Sequence, residues 1–315
     1  MQMLISIPSS CYYLFLLLLI IGSSSFSNNK KNSSSSSSSS FIVSAMSTTA
    51  NAAAKAAASS SSSKYNGALI FLHGLGDTPS GWSHLQNSLP LLKPRLNSNS
   101  IKYVFPPAPI DQSITINGGA TMPGWFDLYD WPIGVGSKDD RPGLMRSIKQ
   151  IQTEVNKLIN VDNIPANKIV IGGFSQGGAV ALLACYGKND NEEDEKMQMQ
   201  QPHKFAGCVG LSAWLTLPKE VIESGSASTK EDVRKSIPLF WGHGTYDDKV
   251  LFEQQQFGIE ALTNEFGLSY DKITSTQYPM GHESCSKEMN HLAEFLDTVL
   301  FDEEEDDSKI KSSEL

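Results

Sequence analysis

Basic residues are in short supply in this chain of 315 residues: 25 Lys and Arg stand against 34 Asp and Glu, a formal net charge of −9. No stretch gathers cations into a stripe or patch, so no nucleic-acid partner is expected. Cysteine is scarcer. Cys11, Cys185, Cys208 and Cys285 include no CxxC pair. That excludes a disulfide framework and the common zinc spacings, and fits free thiols in a reducing compartment. A membrane-length apolar run is missing too. Tyr12 to Ile21 has the length of a signal-peptide core and is too short for a comfortable spanning helix. No Lys or Arg precedes it, and no Asp or Glu occurs before Asp77.

The first sixty-odd residues also lack the apolar content of packed structure. Serine runs at Ser33–Ser40 and Ser59–Ser63 flank an alanine-rich stretch. Such a segment cannot bury enough surface to offset its ordering entropy. Residues 1–63 are therefore read as a leader, 64–301 as one α/β domain, and 302–315 as an acidic tail. About 240 residues is a comfortable size for one such domain. Three readings of the leader stay open: a secretory or membrane-directed segment, an organelle transit sequence, or a stretch upstream of a start at Met46. The terminal Ser-Ser-Glu-Leu resembles an ER-retention signal only in part. The acidic clusters Glu192–Glu195 and Asp302–Asp307 read as a solvated loop and tail.

Within the domain, apolar runs at Ala68–Leu72, Ile101–Phe105, Lys168–Gly172, Cys208–Leu211, Pro238–Trp241 and Ile273–Tyr278 predict strands. Leu144, Ile148, Ile151, Val155 and Leu158 recur at helical spacing. Further helices are predicted from Ala179, over Val250–Phe266 and over Lys287–Phe301. Strands alternating with helices imply a mostly parallel central sheet with helices on both faces, and chemistry at the carboxyl ends of its strands.

Gly173-Phe174-Ser175-Gln176-Gly177 fits G-x-S-x-G between a strand and a small-residue helix. A turn that tight needs glycine on both sides of the serine, and it lifts the hydroxyl above the sheet at a helix N-terminus. This is the nucleophile elbow of an α/β-hydrolase fold, with Ser175 as nucleophile. A serine hydroxyl needs a base. His282, in Pro279-Met280-Gly281-His282 after the last strand, is in the right place, whereas His291 reads as an ordinary helix residue. Asp247 and Asp248 follow the strand at Pro238–Trp241, and spacing alone does not separate them as the acid. His73 and His243 read as loop braces. The oxyanion donors are expected to be the N–H groups of Gln176 and of Leu75, in His73-Gly74-Leu75-Gly76-Asp77.

Those two motifs, with Met122-Pro123-Gly124-Trp125-Phe126-Asp127 and Gly281-His282, resemble the acyl-protein thioesterase family. It is also called the phospholipase/carboxylesterase family. The likeness runs from about Tyr65 to Leu300, and His243–Glu253 is similar to its plant carboxylesterase branch. The resemblance implies Asp247 as the acid, since it is fifth in His-Gly-x-x-Asp. It implies hydrolysis of thioesters on S-acylated proteins, and of carboxylic esters such as lysophospholipids or small acyl esters. A short-chain carboxylesterase or deacetylase is the alternative. No metal or organic cofactor is implied. A cytoplasmic enzyme is implied, with room for peripheral membrane contact, as a monomer or weak homodimer. Met122, Trp125, Phe126, Trp214 and Leu215 are candidate acyl-binding residues, although a plain core role suits the aromatics equally well. The leader, the insert Lys188–Lys204 and the acidic tail depart from the family pattern.

Overall fold

The computed structural model describes residues 63–187, 203–226 and 232–301. The serine-rich leader through residue 62, the acidic cluster Glu192–Glu195 and the tail from Asp302 lie outside the described residues. The strands are β1 (Gly67–Leu72), β2 (Ile101–Val104), β3 (Gln112–Ser113), β4 (Thr121–Met122), β5 (Ile169–Phe174), β6 (Gly207–Leu211), β7 (Leu239–Gly244) and β8 (Ile273–Tyr278). The α-helices are α1 (Pro79–Trp82), α2 (Leu85–Leu92), α3 (Arg141–Asn160), α4 (Gln176–Tyr186), α5 (Pro218–Ser226), α6 (Glu253–Glu260) and α7 (Ser286–Phe301).

Six strands form one sheet in the order β2-β1-β5-β6-β7-β8, with every neighbouring pair parallel. β3 and β4 make a small antiparallel pair apart from it. Continuous apolar runs suit strands covered on both faces. In β1, Ala68, Ile70 and Leu72 enter a core with the apolar face of α3 and with α4. Leu69 and Phe71 enter a second core with α2 and α7. Each of the larger side chains among them, essentially unexposed, stabilises the fold by about 1.5–3 kcal/mol.

α3 buries the five periodic residues Leu144, Ile148, Ile151, Val155 and Leu158. The Asp140 carboxylate caps its start by accepting the Gly143 N–H at 3.1 Å. α4 is apolar all round and is buried along nearly its whole length, as befits a helix at the centre of the molecule.

Some expected elements shift. β5 does not stop at Gly172 but continues to Phe174, directly against the serine. The predicted helix from Val250 starts only at Glu253 and ends in a π-helical turn, Ala261–Phe266. Its first residues are held otherwise: Val250 donates to Asp247, and it bridges in parallel to Ile133. The short helices α1, α2 and α5 and the β3–β4 pair left no periodic signal, because each is too short to repeat a pattern.

One buried acid stands out. Glu288, in the first turn of α7, has no exposed surface. Neither carboxyl oxygen has a hydrogen-bond partner. The carboxyl occupies the space a Cβ would fill at Gly242 of β7. Burial pushes it up to about 8. Nearby, the Tyr278 hydroxyl meets His291 Nδ1 at 3.0 Å, so His291 is tied to β8 and away from Ser175.

Candidate active site

β5 delivers Ser175 onto the N-terminus of α4 with φ 53 and ψ −123. A non-glycine residue there carries strain of about 1–3 kcal/mol, which the surroundings must hold. They do so through two backbone bonds: Ser175 N–H to Leu211 O at 2.8 Å, and Ala179 N–H to Ser175 O at 3.0 Å. The flanking glycines have separate steric causes. A Cβ at Gly177 would overlap the carbonyl oxygens of Leu72 and His73, and one at Gly173 would overlap the Gly177 backbone.

The loops after β7 and β8 bring the other two side chains to Ser175. His282 Nε2 lies 2.8 Å from Ser175 Oγ, and His282 Nδ1 lies 2.8 Å from Asp247 Oδ2. With Nδ1–H donating to the carboxylate, Nε2 is left to accept the serine proton. Asp247 has a fully buried side chain, and its Oδ1 accepts the Lys249 and Val250 N–H groups, both at 2.9 Å. Burial alone would raise its carboxyl. The His282 hydrogen bond and charge, with those two N–H groups, outweigh burial and hold it below the ordinary aspartate value. Asp248 instead points outward and pairs with Lys249 at 3.2 Å.

His73 stays out of this chain of bonds, and His243 meets it only at Asp247, whose Oδ2 lies 3.4 Å from its Nε2. His73 Nε2 accepts the Ala108 N–H at 3.1 Å while its Nδ1–H donates to Gly74 O at 2.8 Å. His243 Nε2–H donates to Val250 O at 2.9 Å. Burial lowers the pKa of both rings, so each is a neutral brace.

Leu75 and Gln176 both line the cleft described below. Among the described residues, neither backbone N–H has a protein acceptor. The Leu75 loop is set by Gly76 N–H to Pro123 O, at 2.7 Å. The buried Gln176 side chain does a second job that the motif did not reveal. Its Oε1 accepts the Trp125 N–H and its amide donates to Phe126 O, both at 2.8 Å. Trp125 in turn donates its indole N–H to His73 O at 2.8 Å. Removing the amide in Gln176→Ala leaves a buried N–H and a buried C=O unpaired, at about 1–3 kcal/mol each. We expect thermal unfolding of that variant to begin about 5–10 °C lower. A melting temperature within about 2 °C of the parent would show that the clamp is dispensable.

The serine opens into a cleft of about 520 Å³. Of the five candidate acyl-binding residues, Trp214 lines it. Trp125, Phe126 and Leu215 are 0%, 1% and 3% exposed and belong to the core. Met122 packs beside that core, near Gly76. Trp125 is held there by its backbone N–H to Gln176 and its indole N–H to His73. The apolar wall is instead Trp82, Leu128, Trp131, Phe174 and Val250. Trp82 could have been found from sequence, since Thr78-Pro79 starts a helix that aims it back at the elbow. Among the described residues no group of His, Cys, Asp and Glu could hold a metal ion, and Cys185, Cys208 and Cys285 are free thiols.

A parallel sheet carrying serine, aspartate and histidine at the ends of β5, β7 and β8, with the serine on a strained strand–helix turn, defines an α/β-hydrolase. The chain belongs to the phospholipase/carboxylesterase family, whose model matches residues 53–300. It is similar to acyl-protein thioesterase 1 of Mycosarcoma maydis, 34% identical over 249 residues that cover 75% of this chain and 92% of the relative. Among solved structures, Arabidopsis thaliana SOBER1 aligns with a TM-score of 0.62 at 28% identity, covering 74% of this chain and 99% of that one. Zea mays acyl-protein thioesterase 2 aligns with a TM-score of 0.59 at 29% identity, covering 75% and 95%.

Proposed function

We propose that the protein cleaves acyl thioesters and carboxylic esters through an acyl-enzyme on Ser175. His282 takes the Oγ proton as Oγ attacks the acyl carbonyl, and Asp247 holds the imidazole and stabilises its charged form. The Gln176 and Leu75 N–H groups receive the developing oxyanion. The thiolate or alcohol leaves, and water, activated by His282, releases the acid. The observation that carries this reading is the continuous hydrogen-bonded chain from Asp247 through His282 to Ser175, opening into an aromatic cleft.

The thioesterase relatives support S-acylated proteins as substrates, with lysophospholipids and small acyl esters handled at the same serine. No helix of the described residues is long and apolar enough to cross a membrane. We assign the chemistry to residues 64–301, acting in the cytoplasm as a monomer or weak homodimer with peripheral contact to membranes. The test is a graded series of p-nitrophenyl esters and S-acyl peptides, beside labelling by a fluorophosphonate probe. We expect labelling that requires Ser175, and higher kcat/KM for long acyl thioesters than for acetyl esters. Activity confined to two-carbon acyl groups would replace this reading with a short-chain carboxylesterase or deacetylase.

A further inference from the structure

Phe174 fills the first variable position of the elbow motif, yet its ring touches both halves of the machinery. Its centroid lies 4.8 Å from that of the His282 imidazole, with the planes tilted by 44°. On another side it lies close to the oxyanion loop: a Cβ added at Gly74 would sit 3.3 Å from Phe174 Cδ1. The ring has a solid support. Trp82 stands 5.2 Å from it and Phe71 stands 4.8 Å from Trp82, both buried in the second core.

We propose that Phe174 is a positioning residue for the reaction: its ring steadies the imidazolium that His282 becomes and sets the gap between that base and the Gly74–Leu75 backbone. The proposal rests on the serine–histidine reading above. During attack the Ser175 O–H bond breaks, the proton moves to His282 Nε2, and the Oγ–carbon bond forms. The positive charge so created meets Asp247 in the ring plane through Nδ1–H. An aromatic centroid within about 6 Å attracts a cation through its quadrupole, and Phe174 is the ring at that range. The other titratable groups around His282 are His243, kept neutral by burial, and Asp77, His84, Lys249 and Glu283 in the cleft wall.

The test is the pH dependence of kcat/KM on a short p-nitrophenyl ester, for Phe174→Leu, Phe174→Tyr and a protein with pentafluorophenylalanine at 174. The fluorinated ring keeps the shape and reverses the quadrupole, so it separates charge from packing even where the leucine variant folds poorly. We expect the leucine and fluorinated proteins to lose roughly fivefold to tenfold in kcat. Their acid limb should move to lower pH by about half a unit, because a less stabilised imidazolium has a lower pKa. Tyrosine should restore both rate and limb. A fluorinated protein with the parent's rate and limb, or a tyrosine variant as impaired as leucine, would overturn the proposal. In all cases the unmodified protein must hydrolyse the ester and take the fluorophosphonate label. Its failure to do so refutes the serine–histidine reading itself, before Phe174 is at issue.

Discussion

Ser175→Ala should hydrolyse acyl thioesters and p-nitrophenyl esters at least about a thousandfold more slowly than the parent, with KM changed little. The change removes one oxygen from a side chain that is nearly buried, so the fold has no reason to respond. What disappears is the covalent route. The oxyanion N–H groups and the cleft remain, and they account for the residual rate over water. The three side chains act as a unit, so their losses should not add. A double variant lacking both Ser175 and His282 should be about as slow as either alone. Asp247→Asn is the subtler case, because an amide at that position turns the imidazole to the wrong tautomer. A loss near 10⁴ in kcat is expected by analogy with the serine-protease triad. Steady-state kinetics on purified variants checks all three. A Ser175→Ala protein that keeps a tenth of the parent's kcat would remove Ser175 from the mechanism.

Glu288→Gln should make the protein more stable, and more so as pH rises. The unpaired carboxyl is held at about 8 in the fold, against an ordinary value near 4.3 in an unfolded chain. An acid whose folded pKa is raised contributes no penalty below the unfolded value. Stability is then lost as pH climbs from about 4.5 toward 8, where the folded form also ionises. At pH 7 the linkage is worth about 3 kcal/mol as an upper figure. Glutamine has nearly the same shape and no proton to lose, so it removes this slope, while its own unpaired amide adds a cost that does not change with pH. For a domain of this size the pH-dependent part of the gain corresponds to roughly 6–10 °C in melting temperature between pH 5 and pH 7. Calorimetric melts of parent and variant at several pH values measure it. Parallel curves for the two proteins would show that Glu288 is not the group responsible.

Much of the site was legible before any coordinates. The elbow could be read because steric demands at Gly173 and Gly177 leave glycine little alternative. The strands could be read because a parallel sheet covered on both faces needs unbroken apolar runs. Side-chain traffic between loops distant in sequence could not be read. Trp125 looked like an acyl-binding aromatic because nothing in its neighbourhood announces that Gln176, far along the chain, will take its N–H. Spacing alone left Asp247 and Asp248 level; the family resemblance pointed to Asp247, whose carboxylate the following two N–H groups hold inward. Val250 was drawn into a predicted helix by its apolar character, while its backbone was already committed to Asp247 and Ile133.

Ser175 and His282 are 107 residues apart in sequence, and His282 and Asp247 are 35 apart. They meet only because β5, β6, β7 and β8 lie side by side. Parallel neighbours must be joined by long crossovers, and closing such loops is slow because their entropy is lost before any contact rewards it. Catalysis is therefore a late reporter of folding in this protein. On refolding, hydrolysis returns only when β5, β7 and β8 stand in one sheet and His282 is within reach of Ser175.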